Sequence, residues 1–108
     1  MADVPLGFKT GTGANDNDVV LTLDRADAYD TFQILTTAGA VDVFVSLDGT
    51  NFATAPLSLS DLGATTSTPV LVTAANRVYG WRGKYRKIRV LQNGASAVTS
   101  CTLSYGSM

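Results

Sequence analysis

One hundred and eight residues, 45% of them hydrophobic and 16% charged, suffice for one domain with a modest core and carry too little charge for a disordered chain. The chain has no His and no Glu, which leaves Asp alone for acid–base chemistry. A single cysteine, Cys101, excludes an internal disulfide, and no apolar run is long enough to span a membrane.

The N-terminus, "MADVPLGFKTGTGANDND", lacks the basic start and apolar run of a signal peptide, so synthesis in a cytoplasm is the simple expectation. Residues 1–18 are rich in Gly, Asn, Asp and Thr without a period, and read as an irregular arm ending in a turn at Asn15 to Asp18. Short β-like runs follow at Val19–Asp24, Tyr29–Thr37, Val41–Leu47, Phe52–Leu57, Val70–Ala74, Val78–Arg82, Tyr85–Leu91 and Ala97–Tyr105. Residues 58–69 are rich in Ser and Thr and read as a long loop, with one helical turn at Ser60–Leu62. Turn residues separate the runs about every ten positions. Plentiful Thr, Ser, Val and Gly add to that pattern. The expected fold is all-β, a single antiparallel β-sandwich, jelly-roll-like or Ig-like, of about seven or eight short strands over residues 19–108.

Two dipeptides predict hairpins. Asn93-Gly94 suits a two-residue turn with positive φ at both positions, which would set Val90 opposite Ala97 and Ile88 opposite Thr99. One face would then carry Ile88, Val90, Ala97, Cys101, Leu103 and Tyr105, and the other Tyr85, Lys87, Arg89, Ser100, Thr102 and Ser104. Asp48-Gly49 would pair Val45 with Phe52 and put Val41, Val43, Val45, Leu47 and Phe52 on one side.

Charge divides along the chain. Residues 1–61 hold all nine Asp with only Lys9 and Arg25, a net of −7, while residues 62–108 hold six basic residues and no acid, a net of +6. All six lie in "RVYGWRGKYRKIRVLQNG", from Arg77 to Gly94, together with the only Trp. Strand alternation turns Tyr85, Lys87 and Arg89 to solvent as a row. Charge on edge strands commonly serves to prevent aggregation, but that does not account for an acid-free C-terminal half. Division of this kind signals a charged partner or self-association.

Most chemistry is excluded. No P-loop, dinucleotide fingerprint or zinc spacing is present, and Cys101 falls on the apolar face, where a thiol packs rather than reacts. No cofactor is expected, and the expectation is that the protein is not an enzyme. Asp16, Asp18 and Asp24 offer oxygen ligands for calcium, yet the Gly and final Glu of an EF-hand loop are missing, and a solvated turn is the better reading. Basic and aromatic residues interleave as in nucleic-acid grooves, but a pI of about 5.0 and an acidic half argue against that partner. Tyr79 and Trp81, two apart on one strand, share a face that could stack on a sugar, although core aromatics are the commoner case.

Two stretches, "VDVFVSLDGTNFATAPLSLSDLG" and "YRKIRVLQNGASAVTSCTLSYG", resemble small structural proteins of tailed bacteriophage particles. The resemblance rests on Val43, Val45, Ser46, Asp48, Gly49, Asn51 and Phe52, and on Arg86 to Ala95, and leaves out the first eighteen residues. It implies a non-enzymatic β-sandwich on the virion, outer capsid surface favoured, that decorates or cements the shell by binding the major capsid protein and copies of itself, a trimer favoured. The alternatives are a neck or tail protein and a carbohydrate-binding adhesion module with a glycan as ligand; neither nucleic acid nor membrane is an expected partner. Tyr79, Trp81, Tyr85, Arg86, Lys87 and Arg89 form the expected contact surface, and Asp48, Gly49, Asn93 and Gly94 the structural turns.

Overall fold

The structure, a computed structural model, describes residues 6–64 and 68–107. Eight strands form among them: β1 (Leu6–Gly13), β2 (Val19–Asp24), β3 (Thr31–Thr36), β4 (Val41–Ser46), β5 (Ser60–Asp61), β6 (Val78–Arg82), β7 (Lys87–Gln92) and β8 (Val98–Gly106). A short 3-10 turn, Ala26–Ala28, links β2 to β3. One sheet has the order β1-β8-β3-β6-β5 and the other β2-β7-β4, and every pair is antiparallel. Successive strands mostly switch sheets, the interleaving of a jelly roll. The fold is the expected all-β sandwich, and its topology selects the jelly-roll form over the Ig form.

Period-2 alternation builds the core. In β7 the pattern buries Ile88, Val90 and Gln92 and turns Lys87, Arg89 and Leu91 outward. Facing them from the larger sheet are Phe32, Ile34, Cys101 and Leu103, all buried, and Val41 and Val43 complete the interior from β4. Aromatic rings pair within this packing. Phe32 stacks on Trp81 with centroids 5.5 Å apart, and Tyr29 meets Tyr105 at 4.5 Å.

The free edge of β4 would expose a row of carbonyls to passing strands. It is covered instead by irregular backbone: Ala53 N–H donates to the Val45 carbonyl (3.1 Å), Leu57 to Val43 (2.7 Å) and Thr73 to Val41 (3.0 Å). The predicted strands at Phe52–Leu57 and Val70–Ala74 thus occupy strand-like places without forming regular strands, apart from a single bridge of Val70 to Leu59. Pro56 lacks the N–H that a continuous ladder would use.

Three further expectations are corrected. The arm over residues 1–18 is not irregular where it is described: Leu6–Gly13 pairs with β8 along most of its length, while residues 1–5 lie outside the described residues. Every inward position of β1 is Gly7, Lys9, Gly11 or Gly13, so the strand carries no apolar alternation to announce it. Instead the glycines let it approach β2, and Lys9 Nζ donates to the Thr22 carbonyl at 2.6 Å. The predicted helical turn at Ser60–Leu62 is the short strand β5 followed by a turn. The predicted Asn93-Gly94 hairpin is absent, because β7 pairs with β2 and β4 and β8 with β1 and β3. Gly94 does take positive φ (102°), but its turn carries the chain from one sheet to the other. The predicted faces nonetheless hold for Ile88, Val90, Cys101 and Leu103, since two strands facing across a sandwich bury the same alternation as two strands paired in a hairpin. Ala97, assigned to the apolar face, is exposed, and Tyr85, assigned to the polar face, packs against the core.

Candidate interaction surface

Asp48 organises one end of the smaller sheet. Its Oδ1 accepts from the Thr50 N–H (2.8 Å), the Asn51 N–H (2.7 Å) and the Ser46 hydroxyl (3.0 Å), while Oδ2 accepts from Asn51 Nδ2 (2.7 Å). Ser46 Oγ in turn accepts from the Gly49 N–H at 2.9 Å, and Gly49 takes φ of 85°. These donors hold the Asp48 carboxyl well below the usual carboxylate range, with the Asn51 backbone N–H the largest contributor. The turn predicted from Asp48-Gly49 is present, although Val45 bonds Ala53 rather than Phe52.

Leu47 sits on this turn and is 79% exposed. Its place on the buried side of a hairpin is therefore corrected: β4 ends at Ser46, so the alternation stops one residue short of it. On one side of the turn is an apolar groove of about 480 Å³ formed with Val45, Phe52, Ala53 and Tyr85. On the other is an open polar cleft of about 400 Å³ between Asp24, Arg25, Arg86 and Lys87.

The predicted contact residues are divided by the fold. Tyr79 is buried, with its hydroxyl accepting from the Ala74 N–H at 2.9 Å. Trp81 lies on the same inward face, half-buried against Phe32, with its Nε1 enclosed and without an acceptor. Both face inward because β6 pairs Tyr79 with Ile34 and Trp81 with Phe32. Tyr85 is also turned inward, 6.4 Å from the Phe32 ring, since it precedes β7 and escapes its alternation. Burial pushes the Tyr85 phenol up.

Arg86, Lys87 and Arg89 remain on the outside of the smaller sheet or at its end. Lys87 pairs with Asp24 across β2 and β7 at 3.1 Å. Arg89, in the middle of the central strand, lies between Thr22 and Phe44 in register and places its guanidinium 4.1 Å over the Phe52 ring. Its Nε is enclosed without an acceptor. Arg86 is exposed, and its backbone is fixed by bonds to Ser46 and Ala26.

Part of the charge division is met inside the molecule, by two ion pairs and one bond to a backbone carbonyl. Arg77 pairs with Asp61, Lys87 with Asp24, and Lys84 Nζ donates to the Asp27 carbonyl at 3.3 Å. The acids proposed for calcium have separate duties. Asp18 Oδ2 accepts from the Ala14 and Asn15 N–H groups, Asp16 Oδ1 from the Gly94 N–H, and Asp24 holds Lys87. Among the described residues no three acids or thiols gather in a group that could hold a metal ion.

No protein-family model matches the chain, and no curated protein matches it in sequence. Solved structures share its fold. The SPBc2 prophage-derived protein YomS superposes with a TM-score of 0.61 at 10% identity, covering 99% of each chain. PirA gives 0.50 at 16% identity over 91% of this chain and 92% of its own. The PBSX exported protein XepA gives 0.55 at 15% identity; the chain covers only 38% of that protein, within which 93% of this one fits. At these identities the likeness is one of fold: a jelly-roll domain shared along the whole chain with a prophage-derived protein.

Proposed function

We propose that this chain is a non-enzymatic structural protein of a phage particle, a decoration or cement protein that docks on the capsid shell through the end of the sandwich built around Asp48. The observation that carries the reading is Leu47, an exposed apolar side chain on a turn rigidified by one carboxylate, beside an apolar groove and the exposed Arg86. Apolar anchors ringed by Arg and aromatic groups supply most of the energy at protein interfaces, and a preformed turn loses little entropy on binding. The chemistry fits an acidic patch on the major capsid protein that holds an apolar pocket. The whole-chain fold likeness to a prophage-derived protein supports the virion assignment.

Lys87 and Arg89 steady the surface rather than meet the partner, since each already has one within the chain. The test is therefore Leu47→Asp with Arg86→Glu. Both side chains are exposed, so the double variant keeps the wild-type fold by circular dichroism and loses attachment to particles that lack the protein. Wild-type attachment by the folded variant overturns the surface assignment. Quantitative mass spectrometry of purified particles gives hundreds of copies for a shell protein; a dozen would move it to the neck or tail.

A further inference from the structure

Asn93-Gly94, which the topology makes a crossover turn, is the chain's only Asn followed by Gly; the other Asn residues precede Asp, Phe or Arg. Such a pair is chemically labile, because a residue without Cβ leaves its backbone nitrogen open to the preceding side chain. Nothing lies within 4 Å of the place where a Gly94 Cβ would stand, and Asn93 is exposed, so packing does not block the approach. Both reacting groups are nonetheless tied to carboxylates. The Gly94 N–H donates to Asp16 Oδ1 at 2.8 Å, and Asn93 Nδ2 donates to Asp42 Oδ2 at 3.2 Å. The two acids come from separate parts of the chain, Asp16 from the turn after β1 and Asp42 from β4.

We propose that Asn93 is a site of spontaneous deamidation, which folding holds in check through Asp16 and Asp42. The Gly94 nitrogen gives up its proton and attacks the Asn93 side-chain carbonyl carbon. A C–N bond forms, the bond to Nδ2 breaks, and Nδ2 leaves as ammonia with that proton, closing a succinimide. Water then opens the ring, its hydroxyl going to one carbonyl and its proton to the ring nitrogen, to give aspartate or isoaspartate. In the folded chain the proton that must leave is held by Asp16. Carboxylates are far weaker bases than a peptide anion, so Asp16 retains that proton rather than removing it. Both acids also repel the negative charge that develops on the nitrogen and on the carbonyl oxygen. The bond to Asp42 fixes the side-chain amide in a second way.

The product would undo this arrangement. A carboxylate at position 93 has no N–H for Asp42 and adds a third negative charge beside it and Asp16. Isoaspartate also lengthens the backbone between the Asn93 N–H, which donates to the Ala40 carbonyl at 2.9 Å, and the Gly94 carbonyl, which accepts from Gln92 Nε2 at 2.9 Å. The loosened end is the Gln92 end of β7, whereas the Asp48 turn lies near Lys87 at the other. The inference therefore stands apart from the docking surface.

The test incubates the full chain in mildly alkaline buffer and follows Asn93 by peptide mass spectrometry, with isoaspartate distinguished by fragmentation. Folded wild type reacts at least about tenfold more slowly than the same chain in urea, as loss of a hydrogen bond to a charged group implies. Asp16→Ala and Asp42→Ser each speed the folded protein about fivefold, the effect of a unit charge about 4 Å away in water. Asp24→Ala, which removes an exposed carboxylate from the far end of β2, leaves the Asn93 rate unchanged. If either site variant fails to fold, Asp16→Asn or Asp42→Asn replaces it, removing the charge while keeping an acceptor, and also speeds the reaction. A folded wild type as fast as the unfolded chain, site variants at the wild-type rate, or an equal acceleration by Asp24→Ala overturns the proposal.

Discussion

Replacing Gly11 by Ala tests whether β1 is seated as a structural strand. Its partner on β8 is Cys101, so its missing side chain points inward, toward β2. A Cβ there would lie far inside contact distance of the Val20 carbonyl oxygen and 2.8 Å from the carbonyl carbon. Carbon atoms normally approach to about 3.5–4.0 Å, so one backbone must retreat by about 1 Å. Neither can turn aside as a side chain can. Overpacking of this kind costs about 1–3 kcal/mol. At about 4–8 °C per kcal/mol for a domain of this size, the melting temperature falls by about 8–16 °C for a cost of 2 kcal/mol. Gly7→Ala is the control, because its new methyl meets the Tyr105 ring, a movable side chain, and costs less. Differential scanning calorimetry supplies both values, and hydrogen exchange shows faster β1 amides in the Gly11 variant. Equal melting temperatures for wild type and Gly11→Ala would refute the close approach of β1 to β2.

Two further expectations concern ionisation. Burial pushes the Cys101 thiol up to about 12, so Ellman's reagent labels it at pH 8 only as fast as the protein unfolds. The unfolded thiol ionises from about pH 8.5 while the folded one does not. Stability therefore declines as pH rises from there toward 12, and rapid labelling of native protein would contradict the burial. For Asp48 the sign is opposite. Its folded carboxyl titrates below the unfolded one, so the turn's contribution is complete above the ordinary Asp range and is lost as pH falls through the folded value. Carbon-13 titration of its carboxyl should give a midpoint well below 3.8, and one at or above it would refute the Asp48 network.

The legible part of the fold was the part written in period-2 hydrophobicity. Val78–Arg82 and Val19–Asp24 form as expected because branched and aromatic residues alternate with turns on both sides. What escaped was written in other terms. In β1 the inward residues are glycines and a lysine, so no hydrophobic alternation exists; Gly at three of the four alternate positions, marking close backbone approach, is the available signal. The Asn93-Gly94 error has a different cause. Facing strands in two sheets and paired strands in one sheet bury the same residues, and only long-range pairing distinguishes them. At the candidate site the turn chemistry of Asp48 was legible, but the exposure of Leu47 was not, since it depends on β4 stopping at Ser46.

The divided charge shows why sequence clustering is an unsafe guide to surface clustering. Six basic residues run together from Arg77 to Arg89, yet β6 and β7 belong to different sheets and carry them apart. β2, which ends in Asp24, then lies directly beside basic β7, so Asp24 meets Lys87 in register. Likewise Arg77 finds Asp61 at the other side of the molecule. Pairs this exposed add little stability, but like charges directly opposite would oppose the wrong pairing. The two ion pairs that join the acidic half to the basic half thus fall between neighbouring strands or their flanks. What remains for a partner is smaller and more specific. Arg86 is exposed beside Leu47's turn, and Arg82 is exposed at the end of β6. The charge left for a partner is therefore a set of separate exposed residues, not the six-residue cluster that the sequence suggests.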